Sequence, residues 1–287
     1  MAGDPVPLHM TLAITGSTGA VGGSVARQLA DLRPRLLVRD ASRAPNLPGS
    51  DIAVAEYADG AAAERALAGV DLLFMVSAAE SKVRRDEHRN VIAAAARAGV
   101  RHIVYTSFAA AAPDATFTLG RDHHDAERAV RESGMRFTFL RDNFYADFIP
   151  HFADENGVIR GSAGDGLFAP VARADVADVA ALVLRSPADH ANTAYELTGP
   201  EALTMAEAAA RAGQCLGREM RYEEETLEEA YASRREAYGA PDWQLDAWVS
   251  TYTAIADGSC AHVSDDVRRI TGHPARTLEQ TLSALSA

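Results

Sequence analysis

Short apolar segments that alternate with amphipathic segments constrain the fold of this chain more than any other feature. The apolar segments cover residues 12–14, 36–38, 52–54, 72–76 and 103–105. Such runs are typical of strands buried on both faces, and Val21, Val25 and Leu29 between the first two have helical spacing. A further unit follows, with a helix expected over residues 122–132 and a strand over 137–140. Repeated strand–helix units predict an α/β fold built on a doubly wound parallel sheet.

The pattern of the sequence changes beyond residue 150. Gly157, Gly161, Gly164 and Gly166 punctuate a loop-rich stretch, and the residues after 200 mostly have helical spacing. We therefore predict one domain over residues 1–150 and a smaller, mostly helical C-terminal domain over residues 151–287. A strand near residues 194–198 is expected to return to the first sheet, and the first eight residues are expected to form a loose leader.

Composition argues against several classes of function. With 47% hydrophobic residues the chain can bury a core, so a disordered protein is not expected. The net charge of −12 repels phosphate backbones, which argues against a nucleic-acid partner. Two cysteines are too few for a disulfide framework, and no apolar run approaches the roughly 20 residues of a membrane span. No signal peptide is visible, so we expect a cytoplasmic protein without a membrane partner.

A glycine-rich turn lies between the first predicted strand and the first predicted helix. The turn consists of Gly16, Ser17, Thr18, Gly19, Ala20, Val21 and Gly22. Gly16 permits the tight turn, Gly19 lets the backbone approach a pyrophosphate, and Gly22 lets the helix pack closely on the strand. The helix N-terminus supplies unpaired N–H groups and the positive end of its dipole. The turn therefore predicts a Rossmann-type NAD(P)-binding domain over residues 1–150.

The end of the second predicted strand bears on the choice of dinucleotide. Arg39 suits the 2′-phosphate of NADP(H), with Arg43 one helical turn later, whereas Asp40 suits the ribose 2′-OH of NAD(H). Arg39 comes first, so NADP(H) is preferred, and Asp40 keeps NAD(H) open. Tyr57 follows the third strand, where an aromatic side chain can contact adenine, although an ordinary strand end explains it equally well.

Several further segments accompany the glycine turn along the chain. They include Val38-Arg39, Glu56-Tyr57, His88-Arg89-Asn90-Val91-Ile92, Tyr105-Thr106-Ser107, Leu140-Arg141-Asp142-Asn143-Phe144-Tyr145 and Arg173-Ala174-Asp175. Together with the turn they resemble the NmrA-like family of atypical short-chain dehydrogenases, and most closely its NAD(P)H-dependent quinone oxidoreductases. The resemblance runs nearly end to end, and it implies a nicotinamide cleft between a Rossmann domain and a small C-terminal domain.

The resemblance also implies which residues hold the cofactor. The glycine turn from Gly16 to Val21 and Arg39 are expected to hold the adenosine and the phosphates. Ser77, Ala78 and Ala79, at the end of the fourth strand, are expected to line the nicotinamide ribose. Five residues from later segments are expected to close the cleft. They are Asp142, Asn143, Phe144, Tyr145 and Arg173, of which the last four are expected to contact the cofactor.

The chain lacks the catalytic pair of ordinary short-chain dehydrogenases. These enzymes reduce carbonyls with a Tyr-x-x-x-Lys pair, in which the tyrosine protonates the developing alkoxide. Here the single lysine, Lys82, is preceded four positions earlier by Ala78, and Leu119 and His123 take the matching helix positions. We expect Ser107 and His123 to be the catalytic residues, which orient the ribose or the substrate rather than act as obligate acids.

A site without a strong acid restricts the acceptor. Hydride transfer to a quinone gives a phenol-like anion whose conjugate acid has a pKa of about 10. Such an anion is stable enough to persist until water protonates it. The expected substrate is therefore a small aromatic molecule. It is expected to contact Phe108, Phe144, Tyr145 and Phe148, although core packing explains these rings almost as well. No metal is expected, because adjacent helix residues such as His123 and His124 point in different directions.

Three functions remain open at this point. The first is NAD(P)H-dependent reduction of a quinone or a similar aromatic acceptor. The second is a tailoring reductase or oxygenase that acts on a polycyclic aromatic metabolite. The third is a non-enzymatic redox sensor that binds NAD(P) and reports to a protein partner. The sequence also leaves a homodimer open.

Overall fold

The computed structural model describes residues 10–285, so the expectation of a loose leader over the first eight residues lies outside them. The chain divides into two compact units of three segments each. The first unit contains residues 10–107, 122–141 and 176–195, and the second contains residues 108–121, 142–175 and 196–285. The domain boundary expected near residue 150 stays a prediction.

The described residues contain eleven strands, seven of which form one sheet. The strands are β1 (Leu12–Thr15), β2 (Arg35–Val38), β3 (Ile52–Val54), β4 (Leu72–Met75), β5 (His102–Phe108), β6 (Arg136–Asp142), β7 (Val158–Gly161), β8 (Leu167–Phe168), β9 (Thr193–Leu197), β10 (Leu203–Thr204) and β11 (Arg221–Glu224). The order in the large sheet is β3-β2-β1-β4-β5-β6-β9, with parallel pairing from β3 through β5. The strand order reverses beside β1, which confirms the predicted doubly wound Rossmann-type fold.

Ten α-helices lie within the described residues, and the last four of them follow β11. They are α1 (Ala20–Gln28), α2 (Gly60–Leu67), α3 (Arg84–Arg97), α4 (Thr118–Glu132), α5 (Arg173–Arg185), α6 (Met205–Leu216), α7 (Leu227–Tyr238), α8 (Asp242–Ala256), α9 (Asp266–Thr271) and α10 (Leu278–Ser283). The preponderance of helices after residue 200 confirms the expected helical C-terminal region. None of these ten helices is both long and apolar enough to cross a membrane.

The edge of the large sheet departs from the sequence expectation. Residues 52–54 were expected to be buried on both faces, but Ile52 is 50% exposed and Val54 is 56% exposed. Ala53, which points to the opposite face, packs against the core of the first unit. That expectation is wrong because β3 is the edge strand of the sheet, and the side chains on one of its faces are exposed.

The core of the first unit forms between the large sheet and its helices. Leu73 of β4 and Tyr105 of β5 are fully buried there, together with Leu67 of α2 and Ile92 of α3. The Tyr105 ring meets Phe139 edge-on, with ring centroids 6.4 Å apart. This packing fixes the strand ends from which the site residues project.

The second unit has its own small sheets and its own core. β7 pairs with β11 in parallel, and β8 pairs with β10 in antiparallel. Its core includes Phe168, Tyr252 and Ile255. A Cβ atom at Gly161 would lie 2.2 Å from the Tyr252 ring, so only glycine lets this ring pack against β7.

The start of one expected helix is wrong, and the structure supports only part of the interpretation of one acidic run. The helix expected to start at residue 122 begins at Thr118, whose backbone amide donates to the Ser250 hydroxyl at 3.1 Å. His123 therefore lies in the second turn of α4 rather than at its start. The acidic run Glu223-Glu224-Glu225, with Glu228 and Glu229, has the composition of a solvated helix face. Glu228 and Glu229 do lie exposed on α7, but β11 runs to Glu224 and the buried Glu225 pairs with Arg234 at 2.9 Å.

Candidate functional site

The glycine turn has the geometry that its spacing predicts. Gly16 adopts a left-handed φ of +62°, and its carbonyl accepts from the Gly19 amide at 2.9 Å. A Cβ atom at Gly22 would lie 2.4 Å from the Gly16 carbonyl oxygen, so α1 approaches the turn closely. No side chain caps the start of α1, and the buried Ser17 hydroxyl has no hydrogen-bond partner among the described residues. Unpaired amides and a buried donor at a helix N-terminus fit a bound phosphate.

Tyr57 is fixed at the carboxyl ends of β1 and β4. Its hydroxyl bonds Thr15 Oγ1 at 2.5 Å and the Val76 carbonyl at 2.7 Å. Burial raises the pKa of this phenol above its ordinary value, although its hydrogen bond with Thr15 opposes the rise. The hydroxyl therefore ties two neighbouring strands together, and only the ring is left to contact adenine. The adenine contact of Tyr57 stays a prediction.

The charged residues at the end of β2 have different surroundings. Arg39 is exposed, and its guanidinium makes no hydrogen bond with another described residue. The Asp40 carboxylate instead caps the short helical turn that follows, accepting from the Ser42 amide at 2.9 Å and from the Ser42 hydroxyl at 2.7 Å. These hydrogen bonds lower the pKa of Asp40. Arg39 is thus available to a ligand, whereas the Asp40 carboxylate is already engaged.

The segment after β4 is held by side chains rather than by a strand. The Ser77 amide donates to Thr106 Oγ1 at 2.8 Å, and the Ala78 amide donates to His88 Nε2 at 2.8 Å. The Ala78 carbonyl accepts from Arg84 Nε at 2.9 Å. Both polar groups of the Ala78 backbone are therefore fixed by residues of α3.

His123 lies behind this segment in a buried network. Its Nε2 atom is 2.9 Å from Arg84 Nη2, and its Nδ1 atom is 3.0 Å from the Tyr105 hydroxyl. Because a guanidinium only donates, Nε2 of His123 accepts and carries no proton. Burial holds the pKa of His123 well below its ordinary value, and the positive charge of Arg84 acts in the same direction. His123 is thus a neutral side chain that is 6% exposed.

Ser107 is also buried, at the end of β5. Its hydroxyl donates to Glu127 Oε1 at 2.7 Å. Burial alone would raise the pKa of Glu127, but hydrogen bonds from the Arg141 guanidinium at 2.8 Å outweigh it and keep the pKa below its ordinary value. The Ser107 hydroxyl bonds a residue of α4, the helix that carries His123, and neither side chain is exposed. Their catalytic roles stay predictions.

The aromatic residues predicted to contact substrate lie in the second unit. Phe108 and Phe144 pack with Phe117, with ring centroids 4.9 to 5.2 Å apart. Phe108 is buried and Phe144 is half-buried, so these rings form part of the core as well. Phe148 is 47% exposed and packs its ring against His151. Phe148 is therefore the most accessible of the four predicted substrate contacts.

Three predicted cofactor residues of the second unit make specific hydrogen bonds. The Asn143 side chain accepts from the Phe144 amide and donates to the Cys260 carbonyl at 2.9 Å, beside a cavity of about 340 Å³. The Tyr145 hydroxyl donates to Asp142 at 2.5 Å, and burial next to this carboxylate raises the pKa of Tyr145 well above its ordinary value. The Arg173 amide donates to Asp147 at 2.8 Å. Their roles toward a cofactor stay predictions.

Two residues of α3 were missed as functional candidates by the sequence reasoning. Arg84 and His88 are both buried and both bind the backbone of Ala78. A signal was available, since residues four positions apart lie on one helix face and this helix directly follows the predicted nicotinamide segment. The sequence alone does not show that these polar side chains turn inward.

The chain is similar to known proteins over almost its whole length. Residues 16–187 match the family model described as NAD(P)H-binding. Quinone oxidoreductase 2 of Escherichia coli is 35% identical over 284 residues, which cover 96% of this chain and 98% of that protein. A (4-alkanoyl-5-oxo-2,5-dihydrofuran-3-yl)methyl phosphate reductase of Streptomyces griseus is 38% identical over 272 residues, covering 92% and 93%. The crystal structure of NADPH-dependent quinone oxidoreductase QOR2 from Escherichia coli, complexed with NADPH, has a TM-score of 0.86 at 33% identity and covers 96% of this chain and 100% of that chain.

Proposed function

From the premise that this chain belongs to the NAD(P)H-binding family, as an NmrA-like short-chain dehydrogenase, we propose that it transfers hydride from NADPH to a quinone or a similar conjugated acceptor. The resemblance drawn from the sequence is confirmed by these relatives, and so is the broader class of NAD(P)H-dependent oxidoreductase. The acceptor, the preference for NADPH and the roles of individual residues belong to the proposal.

The glycine turn and Arg39 are the proposed anchor for the adenosine half of the cofactor. The unpaired amides at the start of α1, the close approach at Gly22 and the buried Ser17 hydroxyl support a pyrophosphate there. The free guanidinium of Arg39 and the engaged carboxylate of Asp40 support a 2′-phosphate over a 2′-hydroxyl. NADPH is therefore the proposed cofactor, and when bound it supplies the hydride.

The protonation state of His123 carries the proposed acceptor class. His123 occupies the helix position of the missing lysine, but its Nε2 atom accepts from Arg84 and has no proton to donate. Tyr145 is a weak acid because burial and Asp142 raise its pKa. An ordinary ketone would give an alkoxide that needs a proton donor at once, whereas a quinone gives a delocalised anion with a pKa of about 10. These residues therefore favour acceptors whose reduced anion is stable until water protonates it.

We assign Ser107 and His123 a role in orienting the cofactor ribose or the substrate. His123 bonds Arg84, which in turn holds the Ala78 carbonyl, so His123 acts on the proposed nicotinamide segment through another side chain. The Ser107 hydroxyl donates to Glu127, so its proposed effect on the ribose or the substrate is transmitted through that carboxylate. Phe144, Tyr145 and Phe148 are proposed to contact the acceptor, while Phe108 supports the Phe144 ring.

An activated alkene is the second candidate acceptor. The relative from Streptomyces griseus is named for an alkanoyl-substituted unsaturated lactone and shares 38% identity with this chain. Hydride addition to such an alkene gives an enolate stabilised by two carbonyl groups, so the same absence of a strong acid is tolerated. Quinones and activated alkenes are therefore one chemical class for this site.

Oxidation of NADPH, followed at 340 nm with a panel of acceptors, tests the proposal. The panel contains a benzoquinone, a naphthoquinone, a 4-alkanoyl-substituted butenolide and cyclohexanone, each measured with and without oxygen. We expect turnover with the first three and none with cyclohexanone. Turnover with cyclohexanone would contradict the acceptor argument, and product formation only with oxygen would favour a tailoring oxygenase. Tight NADPH binding without any turnover would favour a redox sensor.

A further inference from the structure

The chain at the end of β4 leaves the sheet in an unusual way. The amides of residues 76–78 donate in succession to side chains of Thr15, Thr106 and His88, at 2.8 to 2.9 Å. These three acceptors come from β1, β5 and α3, so three different elements hold one short segment. Arg84 completes the set by donating to the Ala78 carbonyl at 2.9 Å.

We infer that His88 and Arg84 are positioning residues for hydride transfer, which fix the Ala78 peptide against which the nicotinamide ribose lies. This inference rests on the proposed function, since it assigns residues 77–79 to the nicotinamide end of the cofactor. His88 accepts from the Ala78 amide, and Arg84 donates to the Ala78 carbonyl. Neither touches the cofactor, so both act through the backbone of Ala78.

Packing alone does not account for the buried polar side chains of His88 and Arg84. His88 is fully buried, and its Nδ1 atom has no hydrogen-bond partner among the described residues. Arg84 is 3% exposed, and its Nη1 atom also lacks a hydrogen bond, with Asp122 3.6 Å away. Buried polar atoms without partners destabilise a fold relative to apolar side chains of similar size. We therefore attribute the four hydrogen bonds to the backbone of residues 76–78 to the position that they impose on the Ala78 peptide.

The segment lies directly beside the glycine turn. A Cβ atom at Gly16 would lie 2.9 Å from Val76 Cβ, so the phosphate turn and the end of β4 are in contact. A cofactor anchored at the turn thus meets the next residues, Ser77 and Ala78, at the neighbouring strand end. A displacement of about 1 Å in the reacting groups costs about 100-fold in rate, so the position of this peptide matters for transfer more than for binding.

His123 and Tyr105 extend the hydrogen-bond network beyond Arg84. Arg84 donates to His123 Nε2 at 2.9 Å, and His123 Nδ1 bonds the Tyr105 hydroxyl at 3.0 Å. This second layer keeps the guanidinium in one orientation. It also explains a histidine at the helix position where ordinary short-chain dehydrogenases have a catalytic lysine.

A pair of substitutions at His88 tests the inference. His88→Leu keeps the volume and removes the acceptor for the Ala78 amide, whereas in His88→Gln the side-chain carbonyl can replace Nε2. With the best acceptor of the panel, we expect His88→Leu to lower kcat about 100-fold, while the NADPH dissociation constant changes less than about threefold. His88→Gln should recover most of kcat. Asp86→Asn, at an exposed position of the same helix, is the matched control and should behave as wild type.

Hydrogen–deuterium exchange provides a readout that does not depend on turnover. The Ala78 amide should exchange faster in His88→Leu than in wild type and His88→Gln. Wild-type kcat in His88→Leu would overturn the inference and leave the proposed function intact. Equal losses of kcat, NADPH affinity and thermal stability in both His88 variants would mean a merely structural role and would also overturn it. If no acceptor of the panel supports NADPH oxidation by the wild-type protein, the proposed function itself is refuted.

Discussion

Gly22→Ala tests the phosphate turn most directly, because the added methyl group has nowhere to go. The new Cβ atom would lie 2.4 Å from the Gly16 carbonyl oxygen and 2.8 Å from the Thr15 carbonyl oxygen. An ordinary contact begins at 3.4 Å, so α1 must move away from the turn by about 1 Å. Overpacking of this kind costs about 1 to 3 kcal/mol of unfolding free energy. The same movement withdraws the helix amides from a bound pyrophosphate.

The expected loss of cofactor affinity follows from those amides. Hydrogen bonds to a charged group contribute about 1.5 to 3 kcal/mol, so Gly22→Ala should weaken NADPH binding by about 10- to 150-fold. Titration of NADPH fluorescence measures this constant, and urea unfolding measures the change in stability. Ser24→Ala is the control on the same helix, since it removes one weak hydrogen bond to Gln28 at 3.4 Å. Wild-type NADPH affinity in a folded Gly22→Ala protein would refute the placement of the cofactor.

Two further predictions concern the choice of cofactor and the dependence on pH. Arg39→Gln should raise the KM for NADPH about 10- to 100-fold and leave the KM for NADH nearly unchanged, because a charge-assisted contact with the 2′-phosphate is lost; a parallel rise in both KM values would contradict the assignment. Burial, reinforced by Arg84, lowers the pKa of His88 to about 3, and burial with Arg136 lowers that of His102 to about 4. A histidine whose pKa is lower in the folded state binds protons more weakly there than in the unfolded state. Folding with the neutral histidine is therefore fully favourable above pH 6.5, and the free energy of unfolding decreases as the pH falls below that value. Between pH 7 and pH 5 each should cost about 2 kcal/mol of unfolding free energy, measured by urea unfolding, and His88→Gln should reduce this pH dependence.

The parts of the fold that were predicted correctly depend on local sequence. Short apolar runs identified the strands of the large sheet, and the helical spacing of apolar residues identified the helices between them. Each of these patterns extends over only a few neighbouring residues. The glycine turn was predicted for the same reason, since the left-handed φ of Gly16 and the close contact at Gly22 follow from the order of adjacent residues. The family resemblance added the expectation that residues 77–79 line the nicotinamide ribose.

The errors occurred where a distant residue decides the outcome. α4 begins at Thr118 because the Ser250 hydroxyl, 132 positions away, accepts from its amide. Glu225 is buried because Arg234 pairs with it, and β3 is half exposed because it became an edge strand. None of these partners can be identified from spacing along the chain.

The sequence by itself determined a doubly wound sheet, a dinucleotide turn at its centre and a single lysine with no tyrosine four positions before it. Those conclusions needed only the order of neighbouring residues and the presence of one lysine. Tertiary structure alone decided that His123 accepts a hydrogen bond from Arg84, and that His88 and Arg84 hold the Ala78 backbone. The physical reason is that a buried polar side chain takes its protonation state and its partner from atoms that folding brings within about 3 Å, whatever their separation in sequence.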